Sequence, residues 1–343
     1  MKILNISMLA GVLMLAACDK TLEEKQVSFD VSSAKTNGQT SDSFTEKDTI
    51  VYQFNGNPDV ITFFSGAIGQ RYEFKDRTSA KGVPQLTFST IRATGTQTNS
   101  LQLLVSSDFN GVVAKSKTIQ GVVTQDTAAT MDNITKANWT DISSRATWST
   151  GTTTAVSSGV IDLSDFDKGA PVFIAFKYTA TAGTIQNKWT ISALSLNNVL
   201  PDNTVYTQAN FAAPNQSITN YGVNTPGLGW LSTYDVAKNA NRYRWVYSAG
   251  IAAAGTLVIT GATSAGAATA GAESWAIMGP VDLRKVSPDA GLPIKDINKL
   301  INSYPVAPMY TEGKYKVTFV ASNNTVNGSS SVVRQLPITI TKP

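Results

Sequence analysis

Apolar residues recur at every second position in many short segments of this chain. Val27, Phe29 and Val31 show this spacing, and it returns in residues 48–54 and most strongly in residues 313–321. A period of two places alternate side chains on opposite faces of a strand, so these segments are predicted to be half-buried β-strands. A turn cluster at residues 55–59 separates two of them. Short alternating strands at such intervals favour a β-sandwich.

The composition excludes several kinds of chemistry. The 343 residues include no histidine and one cysteine. A Ser-His-Asp or Cys-His catalytic site, a histidine-bound metal and an intrachain disulfide are therefore excluded. Charged residues make up 15% of the chain, against a usual value of about 25%. The basic residues are dispersed, so no nucleic-acid-binding surface is predicted.

Residues 1–17 have the layout of a lipoprotein signal peptide. Lys2 precedes an apolar run that is too short to span a membrane and that ends in small residues. The tetrapeptide Leu15-Ala16-Ala17-Cys18 resembles a bacterial lipobox, which implies that Cys18 becomes the first mature residue and carries the lipid. A plain secretory signal with a chance cysteine is the alternative.

Residues 18–25 are predicted to form a tether, because this short charged stretch has no apolar surface to bury. The stretch resembles the acidic export signal that follows the lipidated cysteine in surface lipoproteins of Bacteroidota. That resemblance implies a lipid-anchored protein on the outer face of the outer membrane.

The chain is predicted to be all-β, with two sandwiches. Residues 26–85 supply the opening strands of an immunoglobulin-like β-sandwich, and residues 305–343 resemble the closing strands of a PKD-type immunoglobulin-like domain. We expect the two ends to form one discontinuous sandwich. The alternative is a complete small domain at residues 26–90, with residues 305–343 belonging to the central domain.

Residues 86–304 are predicted to form a larger sandwich. The segments Trp139-Thr-Asp-Ile, Ile161-Asp-Leu-Ser and Val172-Phe-Ile-Ala-Phe-Lys-Tyr follow one another here. In this order they resemble the jelly-roll modules, galactose-binding or adhesin-like, of secreted proteins. One short helix is expected within residues 289–303, because apolar residues at 294, 297, 300 and 301 have helical spacing.

Longer motifs resemble a family of uncharacterised Bacteroides outer-surface lipoproteins of about 350 residues. The lipobox, residues 54–66, residues 70–77 and residues 275–291 carry this resemblance. Relatives of this kind often accompany outer-membrane glycan-uptake systems. The resemblance therefore implies a glycan ligand and a possible complex with an outer-membrane transporter.

Four aromatic residues are predicted to bind the ligand. A sugar ring stacks its apolar face on an aromatic ring while polar groups bind its hydroxyls. Trp148 and Trp230 have Gly- and Ser-rich neighbours typical of loops, and Tyr221 and Tyr234 lie in the same aromatic region as Trp230. The alternative is that these side chains anchor loops to the core. The tryptophans beside alternating apolar residues are predicted to lie in the core: Trp189, Trp245 and Trp275.

The carboxylates do not form a recognisable catalytic motif. Asp162, Asp165 and Asp167 cluster in one turn, where such groups usually cap the backbone or face solvent. Asp108 and Asn110 lie in a loop that is a weak candidate for a structural Ca²⁺. No other cofactor is predicted.

The sequence thus predicts a non-catalytic cell-surface lipoprotein that binds extracellular carbohydrate for an outer-membrane uptake system. Two alternatives remain. One is a structural or adhesive surface protein that binds another protein. The other is a carboxylate-dependent glycoside hydrolase, which needs two carboxyl groups across a cleft.

Overall fold

The computed structural model describes residues 26–115, 124–151, 153–211, 219–220, 229–250, 253–326 and 328–343. Cys18 and Tyr221 lie outside these residues. In chain order the strands are β1 (Asp30–Ala34), β2 (Ser43–Thr45), β3 (Ile50–Asn55), β4 (Val60–Phe64), β5 (Val83–Thr94), β6 (Leu101–Ser106), β7 (Thr140–Asp141), β8 (Val156–Ser157), β9 (Ile161–Asp162), β10 (Val172–Ala180), β11 (Lys188–Val199), β12 (Val205–Asn210), β13 (Thr219–Asn220), β14 (Gly229–Tyr234), β15 (Val246–Gly250), β16 (Ala253–Thr260), β17 (Ala272–Val281), β18 (Leu292–Lys295), β19 (Ser303–Val306), β20 (Gly313–Thr325) and β21 (Gly328–Thr341).

The described residues contain one α-helix, α1 (Thr127–Lys136), and three short 3-10 turns, at Tyr72–Phe74, Ser143–Arg145 and Ser164–Phe166. The prediction of an all-β sandwich protein is therefore confirmed. Within the described ranges, no helix is both long and apolar enough to cross a membrane.

The chain divides into two compact units. The smaller unit contains the residues up to Asp76 and those from Pro288 to Pro343, and the larger unit spans Arg77–Ser287. These boundaries differ from the predicted ones at 85 and 305. Residues 83–85 already belong to β5, which pairs with β11 of the larger unit. Strand β18 lies wholly before residue 305 and β19 begins before it, yet they pair with β4 and β3 of the smaller unit.

The smaller unit combines strands from both ends of the chain. One sheet has the order β1-β3-β19 and the other has the order β18-β4-β20-β21-β2. Strand β4 runs antiparallel to β20, with Phe63 opposite Phe319. The side chain of Asp289 accepts hydrogen bonds from the backbone N and the Nε of Arg71, at 3.0 and 3.1 Å. This contact joins the two chain segments close to the points where they leave the unit.

A cluster of aromatic rings fills the core of the smaller unit. The Phe319 ring centroid lies 5.1 Å from that of Tyr52 and 5.2 Å from that of Phe63. Phe29 and Phe54 complete the cluster around Phe319. These positions are the alternate residues of the predicted strands, so the period-two pattern selects the face that is buried.

Phe319→Ala is predicted to destabilise the smaller unit by about 3–5 kcal/mol, because it leaves a cavity among these rings. Hydrogen–deuterium exchange measures this locally, which is necessary in a chain of two units. Exchange should accelerate in β3, β4 and β20. Val333→Ala, at a 37% exposed position of β21, is the control and should change stability by less than about 0.5 kcal/mol. Unchanged protection in Phe319→Ala would contradict this description of the core.

The larger unit is a sandwich of two sheets. Strands β13-β14-β17-β10-β6-β7 form the six-stranded sheet. Five strands of the seven-stranded sheet have the order β15-β16-β11-β5-β8. The other two pair at its side, β12 with β11 and β9 with β5. The core between the sheets contains buried side chains from both, among them Phe88, Phe176, Trp189, Ile191 and Trp245.

The six-stranded sheet is apolar on its outer face as well. Strand β10 begins Val-Phe-Ile-Ala-Phe, and its residues alternate between the two faces. Val172, Ile174 and Phe176 belong to the core between the sheets. The outer face carries a second set of buried side chains: Leu104, Phe173, Ala175, Leu231, Trp275 and Ile277.

Helix α1 covers part of this outer face. Met131 and Ile134, three residues apart, are buried against the outer apolar set. Asp126 caps the helix, because its side chain accepts a hydrogen bond from the backbone N of Ala129 at 3.0 Å. The helix expected in residues 289–303 is wrong. Those residues contain β18, and Ile297 and Leu300 are 68% and 74% exposed, so no apolar helical face is buried there.

Candidate functional site

A row of side chains crosses the outer face of the six-stranded sheet beside α1. The pairing register places Lys177 of β10 opposite both Gln102 of β6 and Trp275 of β17. Trp275 in turn lies opposite Thr233 of β14. In the next row the opposed residues are apolar and lie under the helix. The polar row is therefore the place where this face becomes open to a ligand.

A groove of about 430 Å³ lies over this row. We call it the tryptophan groove and define it by six residues: Gln102, Trp139, Asp141, Lys177, Glu273 and Trp275. Trp139 is half-buried and Trp275 is buried, and their ring centroids lie 5.3 Å apart at an angle of 48°. The indole N–H of Trp139 donates to the backbone O of Ile134, at 3.0 Å, which fixes the ring against the end of α1.

Glu273 organises the charges of the tryptophan groove. Its carboxylate lies 3.3 Å from Nζ of Lys177 and 3.5 Å from Nζ of Lys238. The indole N–H of Trp275 also donates to Glu273, at 3.1 Å. Nζ of Lys177 lies 5.1 Å from the centroid of the Trp275 ring, within cation–π range. These contacts join both lysines and the ring in one network, in which Lys177 and Trp275 are the more buried members.

Asp141 is the second carboxylate of the groove. Burial acts to raise the pKa of Asp141, but hydrogen bonds from Ser143 and Gln102 to the charged form outweigh it, so the pKa lies below its usual range. Gln102 donates through Nε2 at 2.8 Å, and the backbone N of Ser143 donates at 2.8 Å. Asp141 is therefore an ionised acceptor at neutral pH.

A second hollow, of about 480 Å³, lies along the other side of α1. We call it the tyrosine pocket and define it by six residues: Lys115, Asp126, Met131, Asp132, Tyr234 and Asp235. Tyr234 is the last residue of β14 and is half-buried. Of the three predicted ligand-binding residues that the structure describes, Tyr234 is the one that lines this pocket.

The structure places the predicted tryptophans elsewhere. Trp230 lies within β14, not in a loop, and is 3% exposed. Its ring stacks on Phe176 at 6.1 Å. It also lines a hollow of about 400 Å³ beside β15. Trp148 does lie in a loop, where its indole N–H donates to Ser143 O at 2.8 Å and its ring lies 5.5 Å from that of Phe88. Both rings thus pack against the core of the larger unit.

The loop considered for Ca²⁺ is held by its own hydrogen bonds. The carboxylate of Asp108 accepts from the hydroxyl of Ser106 and from the backbone and side-chain N of Asn138. Hydrogen bonds from Ser106 and Asn138 lower the pKa of Asp108. No group of three or more acidic residues or cysteines that could hold a metal ion occurs in the described part of the chain. The arrangement fits backbone capping.

The carboxylate cluster of the sequence is also engaged. Asp165 forms two hydrogen bonds with the Arg145 guanidinium, at 2.9 and 2.6 Å. Asp167 accepts from Nε of Arg284 at 2.6 Å. Asp162 accepts from the backbone N of Ser164. These groups hold loops in place.

Sequence reasoning did not select Trp139, Lys177, Glu273 and Trp275 as site residues. A signal was available, because Lys177 and Glu273 are charged residues inside two otherwise apolar strands. Their parity places them on the same face as Phe173 and Trp275 respectively. A charge on an apolar face marks the place where that face stops being covered.

Fold and groove together define an all-β protein of two units, the larger of which is a two-sheet sandwich with a polar, aromatic groove on the outer face of one sheet. The model of one protein family, described as a domain of unknown function (DUF5017), matches residues 17–215, which is more than half of the chain. The chain therefore belongs to this family. A search of the curated proteins finds no match.

One solved structure aligned with the chain is the C-terminal domain of the Streptococcus pyogenes antigen I/II-family protein AspA. The identity is 11%, the alignment covers 92% of this chain and 100% of that chain, and the TM-score is 0.09. A TM-score this low carries no argument about fold or function.

Trp230→Ala is predicted to lower the free energy of unfolding by about 3–5 kcal/mol, because it empties a buried ring site beside Phe176. The change is measured by urea denaturation, with hydrogen exchange of the amides in β10 and β14 as the readout. Val205→Ala, at a 54% exposed position of the larger unit, should stay within about 0.5 kcal/mol. A Trp230→Ala protein as stable as the parent would show that this ring has no structural role.

Proposed function

We propose that this protein is a non-catalytic, lipid-anchored cell-surface protein that binds extracellular carbohydrate at the tryptophan groove, in support of an outer-membrane uptake system. The observation that carries the proposal is the combination of two tryptophan rings with fixed polar groups in one groove. Membrane and transporter partners are part of the proposal through the lipobox that ends at Cys18.

The groove has the chemical parts that sugar recognition needs. The half-buried ring of Trp139 offers an apolar surface for the C–H face of a sugar. Around it, Asp141 and Glu273 accept hydrogen bonds, Lys177 donates them, and Gln102 does both. Few polar groups placed around an apolar floor are typical of small-molecule sites. The two rings are tilted and not coplanar, so we expect one sugar unit to stack here.

The electrostatics of the groove favour binding over hydrolysis. A glycosidase needs a general acid whose pKa is raised. The hydrogen bonds at Asp141 lower its pKa instead. The Glu273 carboxylate is already engaged by the ammonium groups of Lys177 and Lys238, at 3.3 and 3.5 Å. We therefore propose that both carboxylates serve as hydrogen-bond acceptors, with a Kd between about 1 μM and 1 mM.

Trp139→Ala is predicted to abolish retention of the full chain on affinity gels cast with the polysaccharide that a glycan array identifies. Trp148→Ala is a closely matched control. Both tryptophans are half-buried, and both donate an indole hydrogen bond to the backbone O of the residue five positions earlier. Only Trp139 lines the groove. Equal loss in both variants, with both folded, would refute the siting.

Cys18→Ser is predicted to abolish incorporation of a radiolabelled fatty acid in bacteria that express the full chain, and to release the protein from the membrane fraction. A covalent acyl chain contributes about 0.8 kcal/mol per buried CH₂, so several chains anchor firmly. Ser7→Ala, elsewhere in the predicted signal peptide, is the control and should leave labelling intact. Labelling that persists in Cys18→Ser would contradict the anchor.

The adhesive alternative rests on one observation in the smaller unit. Ile297 and Leu300, in the segment between β18 and β19, are apolar and well exposed. Exposed apolar groups are common singly, and a protein interface needs a contiguous patch. An Ile297→Ser, Leu300→Ser double variant that loses adhesion to host or bacterial surfaces, while it retains glycan, would favour a protein partner.

A further inference from the structure

The tryptophan groove and the tyrosine pocket are neighbours on the outer face of the six-stranded sheet. Thr135, in the last turn of α1, lines both of them. Lys238 also lines the groove, and its Nζ lies 4.0 Å from Oδ2 of Asp235, which lines the pocket. The two hollows therefore meet at a boundary that consists of Thr135 and this ion pair.

The boundary is weak. The side chain of Lys238 is 56% exposed and that of Asp235 is 31% exposed. Exposed ion pairs at this distance contribute little to stability. A ligand that lies across the boundary can move the Lys238 side chain away from Asp235 at small cost. The displaced ammonium group still has a partner, because the Glu273 carboxylate lies 3.5 Å from Nζ of Lys238.

The lining residues carry an excess of negative charge. In the groove the charged residues are Asp141, Lys177, Lys238 and Glu273. In the pocket they are Lys115, Asp126, Asp132 and Asp235. Five carboxylates thus stand against three ammonium groups, and two of the lysines already contact Glu273. In the groove a polyanionic chain meets only lysines that already contact Glu273. In the pocket Asp132 has a partner in Lys136, at 3.2 Å, but Asp126 and Asp235 still outnumber Lys115, so such a chain is disfavoured.

We propose, on the basis of the carbohydrate-binding function above, that the groove and the pocket form one extended site for an uncharged oligosaccharide. One sugar unit stacks on Trp139, and the chain crosses Thr135 into the tyrosine pocket, which Tyr234 lines. Each hollow alone is within the range of small-molecule sites, about 300–1,000 Å³. Occupation of both makes affinity rise with chain length.

Calorimetry on the full chain in detergent tests this proposal. The probes are glucose-, xylose- and galactose-based oligosaccharides in a graded series from monosaccharide to hexasaccharide, with galacturonate chains of the same lengths. The affinity for the best uncharged series should rise about tenfold or more between the shortest and the longest chain. Galacturonate chains should bind more weakly at every length.

Two variants separate the two halves of the site. Trp139→Ala should weaken binding at all lengths. Tyr234→Ala should weaken only the longer chains, by about threefold to tenfold, the range expected for one aromatic contact. Tyr206→Ala is the matched control. It removes a half-buried tyrosine from β12 of the opposite sheet, where the hydroxyl of Tyr206 accepts from Arg77 at 2.9 Å, and should change no affinity.

The outcomes distinguish the extended site from the function on which it rests. If the parent protein binds a monosaccharide as tightly as its hexasaccharide, or if Tyr234→Ala weakens both equally, the extended site is wrong and carbohydrate binding stands. If galacturonate chains bind more tightly than uncharged ones, the choice of an uncharged ligand is wrong. If no probe binds at any length, the proposed function fails together with the extended site.

Discussion

The apolar outer face of the six-stranded sheet is the constraint on which the site depends. A sheet in a two-layer sandwich normally buries one face and leaves the other to water. Here Phe173, Ala175 and Ile277 make the second face apolar as well, and water is excluded from it only if something covers it. Helix α1 supplies that cover over part of the face, and Trp139 extends it by packing on Trp275.

The groove follows from where that cover ends. Beyond α1 the face changes from apolar to polar from one row of the sheet to the next, at Gln102 and Lys177, and Glu273 lies in the row after that. Glu273 then holds Lys177, Lys238 and the Trp275 indole in one network. Such a network costs little reorganisation when a ligand binds, because its groups are already in place. The helix, the ring pair and the charges thus belong to one arrangement.

Much of the fold could be predicted from the sequence, because period-two alternation reports one local property, the side of a strand that is buried. That pattern identifies the strands of both units and the aromatic core around Phe319. The helix was misplaced because residues 289–303 have helical spacing without any surface to pack on, whereas α1 owes its stability to a sheet that is distant in the sequence. Asp126, followed by Met131 and Ile134, was the local signal.

The site was harder to predict, because its members come from separate strands whose register no local pattern fixes. Trp148 and Trp230 have the Gly- and Ser-rich surroundings typical of binding loops, yet both rings pack against the core. Trp275 has the apolar neighbours of a core residue and is buried, yet it forms the floor of the groove. Burial on an outer face and burial between sheets look alike in a sequence, and the pairing partners alone separate them.

The central claim is that ligand binds at Trp139 and Trp275 and not at the tryptophans of the core. The chain has six tryptophans, so ¹⁵N labelling of the indoles gives six N–H signals. These can be followed by NMR while the protein is titrated with the glycan that the array identifies. We expect shifts in the indole signals of Trp139 and Trp275, with those of Trp148, Trp189, Trp230 and Trp245 unchanged. Shifts at Trp148 or Trp230, with Trp139 and Trp275 unaffected, would contradict it.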